Sequence, residues 1–318
     1  MDKKDKKLCY ELDINSRQPY QKIAKKLKIS KDSVIYRVKN LQKNKLIKSF
    51  NSVINVGSLG YVGFRLLLKF YNITPKKEEE IISFLLSNKN LGWVVSIEGA
   101  WDLNTYFYYK SVKEMDLFYQ EFIKKFRNHI EKRNLSIYSK IIGYSRNYLM
   151  DSKKREKITI YESKDEIKTD KKDIIILKEL SDDARTSILD LARKTNLTSK
   201  TVIKKIRDLE KKKIITGYRT EFNLDQLGYQ YYKLHITLFN STEEEIKKLQ
   251  SFLRESKNVV YEDIMLGGFD LEFELQFKNT EELREFINEM KQKHSHIIKD
   301  YEILHYFKEH RLRFYPFM

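Results

Sequence analysis

The chain has 318 residues, 41% hydrophobic and 13% aromatic, enough apolar surface to bury cores and to exclude a disordered polymer. Three prolines and ten glycines exclude collagen-like and low-complexity classes, and a single cysteine, Cys9, excludes an internal disulfide and points to a reducing, cytoplasmic setting. Lysine and arginine number 62 against 45 acids; the net charge of +17 favours a polyanionic partner, nucleic acid before an anionic membrane surface.

The opening stretch MDKKDKKLCYELD has neither the apolar core nor the small-residue cleavage site of a secretory leader. Lys6–Ile14 predicts a first helix and Pro19–Leu27 a second, with Pro19 suited to a first helical turn. Ser30 is placed to cap a third helix from Lys31 to about Asn44, where Val34, Val38 and Leu41 follow the spacing of a buried face. Three short helices with a tight turn between the last two predict a helix-turn-helix, and the loosely alternating Leu46–Val56 predicts a β wing. Strand, helix, strand, strand, helix and strand follow at about 62–71, 76–88, 92–99, 102–109, 113–128 and 132–144. Even the apolar run from Val62 to Phe70 is broken by Arg65 and Lys69, so no window suggests a membrane span. Pro75 followed by Glu78, Glu79 and Glu80 sets acids at a helix N-terminus, as the helix dipole favours. The order βαββαβ is ferredoxin-like: two helices cover one sheet face and the other face needs a partner.

After a polar joint from Asp151 to about Lys168 the chain repeats itself. A shift of 168 residues lays Arg17 on Arg185, Ala24 on Ala192, Val34-Ile35 on Val202-Ile203 and Leu59-Gly60-Tyr61 on Leu227-Gly228-Tyr229. Without a gap, 13 of the 45 residues from 17 to 61 are identical in that register. The second copy repeats the helices at Asp173–Ser181, Ser187–Lys194 and Ser199–Lys212, the last capped by Thr198, then a wing at Ile214–Leu224. The fold class is therefore α+β in two repeats: winged helix-turn-helix at 1–56 and 169–224, ferredoxin-like domains at 57–150 and 225–318, and a charged linker at 151–168. Within that linker, Ile158–Tyr161 is the only stretch that could form a strand. Tyr106, Phe107, Tyr108 and Tyr109, with Phe273, Leu275 and Phe277, are expected to make the open sheet faces apolar and to be buried by pairing of the two copies, giving an intramolecular pseudo-dimer.

Charge is uneven along each copy. Residues 1–50 carry +10 and 170–219 carry +6, whereas 51–150 carry +5 and 220–318 carry −5. The positive charge thus concentrates on the helix-turn-helix units, where double-stranded DNA would be held. The third helix turns Lys31, Asp32, Ser33, Tyr36, Arg37 and Asn40 away from its buried stripe; its counterpart turns Ser199, Lys200, Thr201, Lys204, Lys205 and Asp208. Arginine and asparagine suit base edges, while Lys43, Lys45, Lys48, Lys211, Lys212, Lys213 and Arg219 are expected to hold phosphates.

This arrangement resembles the Lrp/AsnC family of bacterial and archaeal transcription regulators. The resemblance rests on Ile29-Ser30-Lys31-Asp32-Ser33-Val34-Ile35-Tyr36-Arg37-Val38-Lys39-Asn40-Leu41-Gln42 and on its counterpart from Leu197 to Glu210. It also rests on the Gly-x-aromatic-Asp turns Gly99-Ala100-Trp101-Asp102 and Gly267-Gly268-Phe269-Asp270. It implies sequence-specific DNA binding and regulation of transcription, with a small effector such as an amino acid held near Gly99, Trp101, Asp102, Gly267, Phe269 and Asp270. The alternative for those turns is a tight hairpin closed by its aspartate. Three departures stand out: two copies in one chain, Lys45 and Lys213 where the family's glycine follows the recognition helix, and Lys205 in place of the helix arginine.

No phosphate loop, nucleophile elbow or dinucleotide fingerprint occurs, and the six histidines show no zinc-binding spacing, so neither catalysis nor a cofactor is expected. Two other readings remain: a non-specific DNA-organising protein, and a siroheme decarboxylase, whose scaffold looks similar. The latter implies haem-facing histidine and arginine near the second and third sheet strands. This chain has Val94-Val95-Ser96-Ile97-Glu98 and Tyr261-Glu262-Asp263-Ile264-Met265 there.

Overall fold

The computed structural model describes residues 1–150 and 155–315. Its first copy opens with α1 (Lys3–Ile14), α2 (Tyr20–Leu27) and α3 (Lys31–Lys43), followed by β1 (Ile47–Ile54). Each start has a chemical cause. Asp2 and Asp5 form a reciprocal capping box on α1, and the Ser30 hydroxyl accepts from the Ser33 amide at the head of α3. Pro19 stands one residue before α2, as its cap, with its missing N–H costing nothing there. The second copy repeats the design with α6 (Lys171–Asp182), capped by the Asp170/Asp173 box, then α7 (Ile188–Thr195), α8 (Ser199–Lys211) capped by Thr198, and β7 (Ile215–Phe222). Leu8, Leu12, Ile23, Val34, Val38 and Leu41 are buried in the first unit; Cys9 is buried among them.

The remainder of copy one is β2 (Val62–Phe70), α4 (Pro75–Ser87), β3 (Leu91–Glu98), β4 (Leu103–Tyr109), α5 (Val112–Phe126) and β5 (Ile130–Tyr144), and then β6 (Lys157–Glu162). In copy two, α9 (Leu224–Leu227) leads into β8 (Gln230–Leu238), α10 (Glu243–Glu255), β9 (Val259–Leu266), β10 (Leu271–Phe277), α11 (Thr280–His294) and β11 (Ile298–Leu312).

The two sheets do not stack as separate layers. They run β2-β4-β3-β11-β8-β10-β9-β5, and β5 pairs again with β2, closing eight antiparallel strands into a barrel. The long strands β5 and β11 make the closure. The first half of β5 pairs with β2 of its own copy and the second half with β9 of the other. Likewise β11 passes from β8 to β3. Helices α4 and α5 pack outside one half through Leu85, Phe118, Phe122 and Phe126; α10 and α11 cover the other through Leu249, Leu253, Phe286 and Met290.

The structure adds to two expectations and corrects a third. Each expected wing is a single strand, and β1 pairs antiparallel with β7, Phe50 opposite Thr220, so one ribbon joins both helix-turn-helix units. Of the two readings of the 151–168 segment, the strand at Ile158–Tyr161 is the one that forms, as β6, and it lengthens the sheet along β5; residues 151–154 lie outside the described part. The inward sheet face is not uniformly apolar. Side chains alternate along a strand, so Phe107, Tyr109, Phe273, Leu275 and Phe277 point to the helices, while Tyr106, Tyr108, Glu272, Glu274 and Gln276 share the opposite face.

Candidate nucleic-acid interface

The tight turn of each helix-turn-helix is made by a left-handed residue, Lys28 at φ 54° and Asn196 at φ 52°, which closes the second helix and aims the third. Behind α3 and α8, buried Val34, Val38, Leu41, Val202, Ile206 and Leu209 fix which face looks outward. That face exposes Lys31, Asp32 and Tyr36 in copy one, and Lys200, Lys204 and Asp208 in copy two. Tyr36 is 67% exposed despite its ring, and Lys204 occupies the same place 168 residues on. Ser33, Asn40, Ser199 and Thr201 are half-buried beside them. Lys43, Lys45, Lys211, Lys212 and Lys213 are all exposed where each helix ends.

Four expected contacts are turned elsewhere. Arg37 reaches back to α1, donating to Asp2 Oδ2 at 2.8 Å and Asp5 Oδ1 at 2.6 Å. Donating to the Asp5 and Asp2 carboxylates raises its pKa. Lys205 does the same in copy two, with Asp170 at 2.6 Å and Asp173 at 3.0 Å; burial opposes its charge, but those two partners raise its pKa on balance. Both cations therefore staple the third helix onto a capping box and do not present base-reading groups. Arg219 is buried and holds the Asp13 carboxylate and carbonyl, each at 3.0 Å. Lys48 sits between Glu221 at 3.4 Å and Glu309 at 3.6 Å. Neither of these last two is placed as a phosphate contact.

Sequence reasoning aligned Arg17 with Arg185 but gave them no role. In the structure they exchange across the pseudo-twofold. Arg17 donates to the carbonyls of Ala184 and Thr186, the latter at 3.0 Å. Arg185 donates to those of Ser16 and Gln18. Together with the β1/β7 ribbon, these bonds fix one recognition helix relative to the other.

The Gly-x-aromatic-Asp turns are hairpins. Asp102 accepts from the Phe70 amide at 2.6 Å and the Lys69 ammonium at 2.8 Å, and Asp270 accepts from the Leu238 amide at 2.7 Å. Gly99 and Gly267 have positive φ, 134° and 76°. Trp101 is half-buried and Phe269 stacks on His235 with ring centroids 4.0 Å apart. Both aspartates are thus engaged in tying their hairpin to the neighbouring strand, β2 or β8.

Inside the barrel lies a charge cluster that the sequence announced only through Arg65, the polar break in an apolar strand. Arg65 is fully buried and makes a two-pronged pair with Glu272 of the other copy, while its Nε donates to Ser136 Oγ at 3.1 Å. Lys233, its counterpart 168 residues on, pairs with Asp263 and approaches Glu272 to 3.2 Å and Glu274 to 3.8 Å. Burial works against the Glu272 carboxylate, but Arg65 and Lys233 outweigh it and hold its pKa well below the usual range. Burial pushes Glu274 up to about 7, since Lys233 relieves it only in part and Asp263 repels it.

Known proteins resemble this chain in the same places. A family model for the AsnC-type helix-turn-helix domain matches residues 1–42, and one for winged helix-turn-helix DNA-binding matches 169–216. The HTH-type transcriptional regulator LrpA of Pyrococcus abyssi is 30% identical over 119 residues, covering 37% of this chain and 83% of that protein. An uncharacterised HTH-type transcriptional regulator of Pyrococcus furiosus is 27% identical over 148 residues, 46% of this chain and 98% of its own length. Among solved structures, a siroheme decarboxylase superposes with a TM-score of 0.65, covering 97% of this chain and 92% of the other at 10% identity. That last likeness is one of fold.

Proposed function

The chain belongs to the Lrp/AsnC family of helix-turn-helix transcriptional regulators, and on that premise we propose that it binds double-stranded DNA in the cytoplasm as a covalently joined pair of reading units. The observation that carries this reading is the coupling of two exposed, basic recognition helices by one ribbon and two reciprocal arginines. Lys31, Ser33, Tyr36 and Asn40 in copy one, and Ser199, Lys200, Thr201 and Lys204 in copy two, face the major groove, with Asp32 and Asp208 selecting against some bases. Lys43, Lys45, Lys211, Lys212 and Lys213 neutralise phosphates. Because Tyr36 and Asn40 in one helix stand where Lys204 and Asp208 stand in the other, the two half-sites form an imperfect palindrome. The chain regulates by binding, without catalysis, and a small effector tunes it.

Retention of genomic fragments across a salt series tests the proposal. Selective retention that falls steeply with salt is expected. No retention at low salt overturns DNA binding, and equal retention of random fragments overturns sequence reading in favour of DNA organisation. A haem-like absorption band on adding siroheme, without DNA retention, would favour the enzyme of similar fold.

A further inference from the structure

The two copies differ at one pair of equivalent places, the slots between the β1/β7 ribbon and the ends of the barrel. In copy one the slot is filled by β6. The Glu162 amide donates to Asn55 Oδ1 at 2.9 Å, and the Tyr161 hydroxyl accepts from the Gly63 amide at 3.1 Å. Three glycines make room for that strand. A side chain at Gly57 would strike the Glu162 carbonyl, and one at Gly217 or Gly143 would press on Ile158 or on Ile158 and Ile160. The corresponding residues around the other slot are Asp225, Ser49 and Arg311, so a strand like β6 has no room there.

What remains in copy two is a cavity of about 370 Å³, the size of a small metabolite's site. Its deep side is cationic. The fully buried Asp13 carboxylate is shared by two guanidiniums, Arg146 and Arg219, so two positive charges face one negative charge in this cluster of described residues. Beside them Gln276 is 1% exposed, and its side-chain oxygen is already occupied by Arg146 Nε at 3.2 Å and by the Tyr148 hydroxyl. Its Nε2, by contrast, has no hydrogen-bond partner among the described residues. A buried amide donor left unmade costs free energy that a ligand acceptor would recover. The equivalents of Arg146, Arg219 and Gln276 in the filled slot are Phe314, Asn51 and Tyr108, so this cationic floor belongs to the open slot alone.

The more exposed side of the same cavity is anionic: Glu221 and Glu309 share Lys48, and Asp225 adds a further carboxylate. Tyr229, Tyr231 and Phe307 line the same cavity and give it apolar surface. We propose that this cavity binds one small zwitterion per chain, its carboxylate on Gln276 and the Arg146/Arg219 pair, its protonated amine towards Glu221, Asp225 and Glu309. A free amino acid is the chemistry that fits. The proposal deepens the effector part of the regulator reading, and it moves the effector from the Gly99 and Gly267 hairpins to a wall formed by the ribbon that carries both reading units.

Calorimetric titration of the full chain without DNA tests the site apart from that reading. The probes are the common L-amino acids, one at a time, and for each binder its amide and its deaminated acid. At least one amino acid is expected to bind at one site per chain, and loss of either charged group is expected to weaken it at least tenfold. Gln276→Leu should weaken it at least tenfold, and Asp225→Trp, at an exposed lining position, should close the cavity and abolish it. If Gln276→Leu does not fold, Asp225→Trp decides alone. No binding by any probe, two sites per chain, or binding that survives Asp225→Trp overturns the proposal, whatever the DNA experiments show.

Discussion

At the scale of single residues, a charged side chain's duty depends on what lies across from it. Helical spacing correctly marks Arg37 as lying off the buried stripe, yet spacing within α3 cannot see that Asp2 and Asp5 stand opposite. A signal was present: the acid pair recurs as Asp170 and Asp173 with a cation again at 205, a coincidence that a purely DNA-reading role would not require. Arg37→Ala is therefore expected to lower stability by about 0.5–1 kcal/mol, as for partly exposed ion pairs, while leaving preference among DNA sequences intact. Urea unfolding and competition between specific and random duplexes read the two quantities separately, and relaxed preference at one base position would refute the assignment. Lys204→Ala, by contrast, should weaken all sequences alike and flatten the salt slope by about one unit. Within the barrel, Glu274 gives a pH prediction with a definite sign. Its folded pKa of about 7 lies above the ordinary 4.5, so stability from its protonated form is full below the ordinary value and is lost as pH rises through 7. Between pH 5.5 and 8.5 this group alone should lower unfolding free energy by about 2 kcal/mol. Glu274→Gln should remove most of that slope in urea titrations at the two pH values; an unchanged slope would mean that another group carries it.

At the scale of elements, the periodicities located most helices and strands within a few residues, because each has its own cap and its own buried stripe. The ribbon and β6 were less legible for a shared reason. A strand is completed by its partner, which local periodicity does not show: Ile54 meets Ile215 of the other copy, and Gly143 meets Ile158, so the Ile158–Tyr161 stretch within the linker extends the sheet along β5. The turn after each recognition helix was legible in a different way. The family resemblance called for glycine there, and the structure shows why, since Lys45 and Lys213 adopt φ 57° and 59°. The left-handed region costs an ordinary L-residue about 1–2 kcal/mol, part of which glycine's greater freedom in the unfolded chain cancels. Lys45→Gly and Lys213→Gly should each raise stability by about 0.5 kcal/mol and also weaken DNA retention through the lost charge. Thermal unfolding that shows either variant less stable would argue that the lysine side chain has a structural partner.

At the scale of the whole molecule, duplication turns an association problem into a folding problem. The second half of β5 lies in the other copy's sheet and the second half of β11 returns the exchange, so neither half-barrel closes alone. The sequence repeat announced that pairing. It could not announce the buried ionic interior, because Arg65 and Glu272 sit in different copies and no local pattern links them. Such a pair adds little net stability over a well-packed apolar one, but losing one partner strands the other's charge, so it disfavours any register except this one. The consequence for function lies at the opposite end of the molecule. With the barrel closed, the ribbon continuous and Arg17 and Arg185 exchanged, the two recognition helices have one fixed separation. A rigid pair should bind half-sites only when they face it on the same side of the duplex, a whole number of turns apart at about 34–36 Å each. Inserting about five base pairs rotates one half-site to the far side and should abolish specific retention by the native chain. The double variant Arg17→Ala/Arg185→Ala keeps the barrel and the half-site contacts but frees the units to adjust. It should bind the original site more weakly and lose much less on insertion. If native and variant chains tolerate the insertion equally, the reciprocal arginines do not set the spacing, and the ribbon alone must carry it.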